Sequence, residues 1–335
     1  MVGDIARYLY WVELRRLLDP AHPKRVRRLG AMIGRAQYTA ARGRVSVMGD
    51  ELRRSFPDQQ WDDARVQSIA KASYVAWARC LVEELLLGKL DVDNIRPFIT
   101  FDGQDNLDKA LEPGRGALYM FPHAGNYMLG IALTALSGYK LTQLAARGFP
   151  PPERQIAAEV RPSKLNIIAR EARDAAEDNL PARFVDMERD STRELFRTLR
   201  RNELVGLAYD GRGGSKFAPT TYLNRQALMA TGPWRLAAST GAAICPVVTI
   251  RQPDLSNKLV VCPPVFPDMD AKMVDRCAGL QRGYLDHMEP ILKANPDHYA
   301  RWLLHCRVRV DMDDHPMFVD VANDERWRAY EHATF

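Results

Sequence analysis

Three stretches combine residue types that can do chemistry. The first is FPHAGNYMLG (121–130), where His123 stands between the end of an apolar run and a helix-like segment. An imidazole in that position can take a proton from an attacking hydroxyl or amine. The amides of Gly125 and Asn126 follow it, and amides at a helix start lack intrahelical partners, so they suit a developing oxyanion. A purely structural, helix-capping histidine has the same local signature. The second stretch is DGRGG (210–214). Its amides could cradle a phosphate, with Arg212 adding charge, but it fits neither a dinucleotide-binding glycine pattern nor a P-loop and also reads as a plain turn. Its Asp210 is a carboxylate able to orient a histidine from a neighbouring strand. The third is a set of arginines, Arg147, Arg154, Arg161 and Arg170, that could hold phosphate or act as ordinary surface residues. DMDDH (311–315) has the composition of a metal cluster, but consecutive acids in a polar tail are usually solvated, and no metal is expected there.

These residues need a scaffold that brings strand ends together. From about residue 97, short apolar runs alternate with helical patterns. The runs are 116–121, 140–145, 182–186, 203–209, 243–250 and 257–262. Helical patterns lie near 125–136, 153–175, 190–201, 230–240 and 270–294. Such alternation predicts an α/β fold, a mostly parallel sheet flanked by helices. In open α/β sheets ligands bind beyond the carboxyl ends of the strands, where His123 and Asp210 both fall. Before residue 97 the periods are helical, over 4–18, 24–44 and 61–88, with SFPD (55–58) as a turn. The expected division is an all-helical N-terminal region (1–95), an α/β domain (96–310) and a C-terminal tail (311–335).

The 335 residues are 46% apolar and 27% charged, ordinary values for a globular chain. The net charge of +5 is concentrated at the front, where twelve Arg and Lys between Arg7 and Arg54 face five acids. Residues 4–18 place Ile5, Tyr8, Leu9, Trp11 and Val12 near one stripe with basic flanks. That helix suits an anionic membrane interface, and equally the protein's own core. No recognised nucleic-acid module accompanies the charge, so nucleic acid is not an expected partner. Five scattered cysteines with no CxxC pair argue against a disulfide framework or zinc site and fit a reducing cytoplasm. No run approaches the roughly 20 apolar residues of a membrane span.

Several segments, in order, resemble the lipid A biosynthesis acyltransferases of the lysophospholipid acyltransferase superfamily. FPHAGNYMLG is similar to that family's histidine block. VMGDELRRSFPD (47–58), VEELLLG (82–88), LVGLAYDGRGG (204–214), TTYLNRQALMATGPWRLAASTGAAICPV (220–247) and HYARWLLHCRVR (298–309) resemble further blocks. The resemblance implies transfer of an acyl group from an acyl carrier protein or acyl-CoA to a lipid or glycolipid, at the cytoplasmic face of a membrane and without a metal or other cofactor. It makes His123 the catalytic base of a His-x4-Asp/Glu motif. Here the acid position holds Met128. A thioether cannot support an imidazolium, so three alternatives stand: another carboxylate, foremost Asp210, substitutes; the acceptor is an amine of a specialised metabolite; or transfer has been lost and a lipid- or carrier-binding protein is left. On the transfer reading, Arg147, Arg170 and Arg212 are the expected phosphate contacts, and aminoacyl transfer is a variant of the same chemistry.

Overall fold

The computed structural model describes residues 2–145, 163–186, 193–211, 213–214, 216–310 and 315–320. Its centre is a seven-stranded sheet in the order β1-β9-β8-β2-β5-β3-β4. The strands are β1 (Ile99–Asp102), β2 (Ala117–Phe121), β3 (Leu141–Ala145), β4 (Arg183–Asp186), β5 (Leu204–Ala208), β8 (Ala243–Arg251) and β9 (Asn257–Val261). β8, β2, β5, β3 and β4 run parallel. β9 is antiparallel to β8 because only the short turn 252–256 joins them, too few residues for a parallel crossover. β1 is the strand that the apolar runs do not announce: of its four residues, ITFD, only Ile99 is buried.

Helices cover both faces, as a parallel sheet requires. Successive residues of β2 feed two separate apolar clusters. Leu118 and Met120 join one, and Ala117, Tyr119 and Phe121 the other. Val205 and Leu207 of β5 join the first, and Leu204 the second.

The N-terminal region is helical: a run over 2–17 (α1), Pro23–Ala40 (α2), Arg42–Ser55 (α3) and Asp63–Glu84 (α4). The single helix expected over 24–44 is in fact broken at Ala41, whose φ of −105° and ψ of 30° leave the helical region. The break lets α3 turn and sink Met48 and Leu52 into the first cluster. α2 lies hard against α4: a Cβ on Gly34 would come within 2.6 Å of the Tyr74 carbonyl oxygen. Both clusters mix residues of these helices with residues of the sheet, so the two regions share their cores.

The remaining helices are α5 (Asp105–Leu111), α6 (Tyr127–Leu136), α7 (Lys164–Asp178), α8 (Arg193–Arg200), α9 (Gly232–Thr240), α10 (Met273–Ala294) and α11 (Pro296–Val308). A hairpin of β6 (Phe217–Tyr222) and β7 (Arg225–Ala230) stands apart from the main sheet. Its two-residue turn, Leu223 and Asn224, has φ of 50° and 60°, the pattern of a tight I′ turn. Residues 315–320 of the tail lie along β7, where the Leu228 amide donates to the Met317 carbonyl at 2.8 Å. Buried Arg225 ties this corner together, donating to Glu51 (2.6 Å) and to Asp320 (2.9 Å). All five cysteines are buried free thiols.

Candidate active site

β2 and β5 are parallel neighbours with Phe121 opposite Ala208. His123 and Asp210 each stand two residues beyond those partners, so the register alone carries them to the same point above the sheet. His123 Nδ1 lies 2.7 Å from Asp210 Oδ1, and the His123 backbone amide donates to Oδ2 at 2.9 Å. The Tyr299 hydroxyl, from α11, donates to Oδ2 at 2.8 Å. Asp210 is fully buried, so these donors replace its water. With Nδ1–H directed at the carboxylate, Nε2 is the ring nitrogen left to accept a proton.

The imidazole is further held by ring contacts. Trp302 stacks on it at 3.8 Å and 14°, and Tyr127 meets it edge-on at 5.3 Å. Its side chain is still 19% exposed, so substrate can reach it. Below Asp210 lie Tyr209, Tyr222 and Tyr284, packed ring against ring at 4.6 to 5.4 Å. Burial, and then the Asp210 charge, push the Tyr299 phenol well above its ordinary range, so its hydroxyl keeps the proton it donates.

A second buried network fixes the loop behind His123. Asn126 caps α6: its Oδ1 accepts from the Leu129 amide at 3.1 Å. Its Nδ2 donates to Glu83 Oε2 at 2.8 Å. Glu83 is fully buried and is gripped by Arg251, whose Nη2 donates to Oε2 at 2.9 Å, and by Asn257 at 3.3 Å. Burial works against the charge on Arg251, but Glu83 and then Cys80 together more than offset it and hold the guanidinium above its usual range. Gly125, with φ of +59°, passes so close to β8 that a Cβ would meet the Thr249 carbonyl oxygen at 1.8 Å. Its amide donates to the His298 carbonyl at 3.3 Å. In this structure, then, the Gly125 amide is directed at the His298 carbonyl.

Met128 lies on α6 in the cluster that includes Phe121, whereas Tyr209, Tyr222, Tyr284 and Tyr299 around Asp210 belong to the cluster on the other face of the sheet. It is 5% exposed and packed as an apolar side chain. Nearby, burial pushes the Glu84 carboxyl up to about 7; the Arg173 charge opposes this, while Glu177 and Glu83 add to it. Tyr127 is raised by its own burial and then by Glu84.

Of the expected phosphate contacts, Arg170 is placed on α7, where burial lowers its guanidinium and its charged neighbours are Arg173, Asp174, Arg7 and Glu177. Arg147 and Arg212, like Arg154 and Arg161, lie outside the described residues, as do 311–314 of DMDDH. His315 stacks on Phe217 at 4.3 Å. Among the described residues no group of three or more His, Cys, Asp or Glu side chains could hold a metal ion.

The N-terminal helix docks on its own chain along one edge. Tyr10 donates to the Leu81 carbonyl, and Arg15 Nη2 to that of Leu87 at 3.1 Å. Ile5, Leu9 and Leu17 stay exposed, at 42%, 52% and 81%. No helix among the described residues is long and apolar enough to cross a membrane.

Tyr299, Trp302, Tyr127 and the Glu83 network are the site residues that motif reading does not single out. Tyr299 and Trp302 stand three apart in HYARW, one face of a helix, which is the signal that pairs them. Comparison with protein families matches residues 8–308 to the model of the bacterial lipid A biosynthesis acyltransferases. Comparison with curated proteins gives no match.

Proposed function

Because the chain belongs to the bacterial lipid A biosynthesis acyltransferase family, we propose that it transfers an acyl group from an acyl carrier protein or coenzyme A thioester to a hydroxyl or amine acceptor, with His123 as general base. The acceptor is a lipid, a glycolipid or a specialised metabolite. The observation that carries this reading is the 2.7 Å contact between His123 Nδ1 and the buried Asp210 carboxylate.

Nε2 removes the proton of the acceptor as its oxygen or nitrogen attacks the thioester carbonyl. Asp210 holds the ring in the required tautomer and stabilises the imidazolium that forms. The tetrahedral intermediate collapses with loss of the thiolate, which takes the proton back from Nε2. The Asn126 amide, at the start of α6, is the remaining backbone candidate for the oxyanion. Asp210 thus takes the role that the acid of the His-x4-Asp/Glu motif would otherwise fill, and Met128 contributes packing. On the same reading the protein works peripherally on the cytoplasmic side of an anionic membrane; the exposure of Ile5, Leu9 and Leu17, beside the arginines of the N-terminal helix, supports this.

The test is turnover. The protein is incubated with acyl carrier protein or acyl-CoA thioesters and with hydroxyl and amine acceptors, and product is followed by mass spectrometry. Full turnover in His123→Ala would overturn the mechanism. Carrier or liposome binding that is indifferent to His123→Ala, with no turnover on any acceptor, would favour a non-catalytic binding protein.

A further inference from the structure

α2 carries charge that its own chain leaves unanswered. The helix, Pro23–Ala40, holds five basic side chains and no acid. Arg27 is buried and lies 3.8 Å from Glu83 Oε1. Lys24, Arg25, Arg28 and Arg35 are exposed, and none of the four forms an ion pair among the described residues. The steps from Arg25 to Arg28, Met32 and Arg35 are three, four and three residues, which keeps these side chains on one face. Met32, 64% exposed, sits in the middle of that row.

The row faces outward because the opposite side of α2 is committed. Val26 and Ala31 are buried, and Gly30 and Gly34 press on α4, where an added Cβ would come within 2.6 Å of the Arg79 Cα and of the Tyr74 carbonyl oxygen. Arg27 ties this buried side to Glu83, which also accepts from Asn126 Nδ2 at 2.8 Å. One buried carboxylate thus stands between α2 and the loop that carries His123. Without a partner the row is unfavourable. Lys24 and Arg25 occupy the first turn, at the positive end of the helix dipole, and Lys24 and Arg28 are like charges one turn apart. An acidic surface laid along the row would reverse both effects.

We infer that the exposed face of α2 docks an acidic protein, the acyl carrier protein that brings the thioester. The identity of this partner rests on the acyl-transfer reading; the charge pattern of the surface does not. From Arg25 to Arg35 the row runs about 15 Å along the helix axis. That length suits an extended acidic helix better than the clustered phosphates of coenzyme A, and the methionine offers an adaptable apolar contact at its centre. A bilayer is the poorer match. The apolar side of α2 is turned inward, and Met32 is the only large apolar side chain that this helix exposes.

The full-length protein is titrated with apo-acyl carrier protein, which lacks the prosthetic arm and so reports the surface contact alone. Fluorescence anisotropy reads binding without turnover, in wild type and in His123→Ala. Both should bind equally, and more weakly as salt rises. The triple variant Arg25→Glu, Arg28→Glu, Arg35→Glu should weaken binding about tenfold or more, because like charges would then face the carrier. Arg282→Glu, a charge reversal at an exposed position of α10, should leave binding unchanged. Circular dichroism checks the fold of the triple variant; should it fail to fold, Arg28→Glu and Arg35→Glu singly, each weakening binding a few-fold, decide. Salt-sensitive binding lost in the triple variant, with no turnover on any acceptor, would support the surface while counting against acyl transfer. No binding of the carrier, or equal binding by the triple variant, would overturn the proposal. Phosphatidylglycerol vesicles that sediment with wild type and not with the triple variant, while the carrier binds neither, would overturn it in favour of a lipid surface.

Discussion

His123 Nδ1 and Asp210 Oδ1 are 2.7 Å apart although 87 residues separate them in the chain. The pairing follows from strand register, since each residue stands two positions past a matched pair at the ends of β2 and β5. The carboxylate that serves the histidine thus comes from the neighbouring strand and not from the helix that follows it.

His123→Ala should lower turnover by about a hundred- to ten-thousandfold, the range of a general base. Asp210→Asn should lose at least about a hundredfold, because the amide cannot support the imidazolium. Steady-state rates alongside circular dichroism check both. Equal loss of rate and of folded structure would mean that these residues only hold the fold.

On the proposed mechanism Tyr299, which donates to Asp210 Oδ2, is a positioning residue. Tyr299→Phe removes one donor from a buried carboxylate and should cost about 1–3 kcal/mol of stability. It also leaves more of the carboxylate's charge for the imidazole, so the acid limb of the pH–rate profile should move to higher pH. A lowered rate with an unmoved profile would count against this role.

Met128→Glu places an acid at the motif position, but inside an apolar cluster. It should cost about 3 kcal/mol or more as an unpaired buried charge, with no gain in turnover, because Nδ1 is already occupied. Denaturant unfolding and rate measurements check this. A gain in rate would show that the position still serves the histidine.

Gly125→Ala should be destabilised by about 2–4 kcal/mol. Its φ is left-handed, and the added Cβ would run into the Thr249 carbonyl oxygen. Thermal unfolding reads the effect, and an unchanged melting temperature would refute it.

Glu84 gives a pH signature of stability. Its folded-state value of about 7 is raised above the ordinary carboxylate range, so the folded protein binds this proton more tightly than the unfolded chain does. That contribution is fully present below the ordinary carboxylate range and is lost as pH rises through about 7. Glu84→Gln should therefore be more stable than wild type at pH 8, by about 1–3 kcal/mol, with the difference closing towards pH 5. Urea unfolding at the two pH values measures it, and a pH-independent difference would contradict the assignment.

The α/β alternation, most of the helices and six of the sheet strands were legible in the sequence, because apolar periodicity reports burial directly. That His123 and Asp210 meet was legible as well, since each stands just past the end of a strand. β1 was not, since a short strand with one buried residue leaves no pattern. The break at Ala41 was also hidden, because an alanine between arginine-rich turns carries no stop signal. Nor could a linear reading see that the Gly125 amide would be taken by His298, or that Glu83 would anchor Asn126 through a network spanning α4, β8 and β9.

The sequence by itself determined the fold class and the family, since these depend on local pattern and the order of blocks. Only the tertiary structure decided which carboxylate meets His123. That choice rests on strand register and on the two faces of the sheet. Register sets Asp210 against the imidazole, while Met128 packs in the apolar cluster of one face and the phenols around Asp210 belong to the cluster of the other.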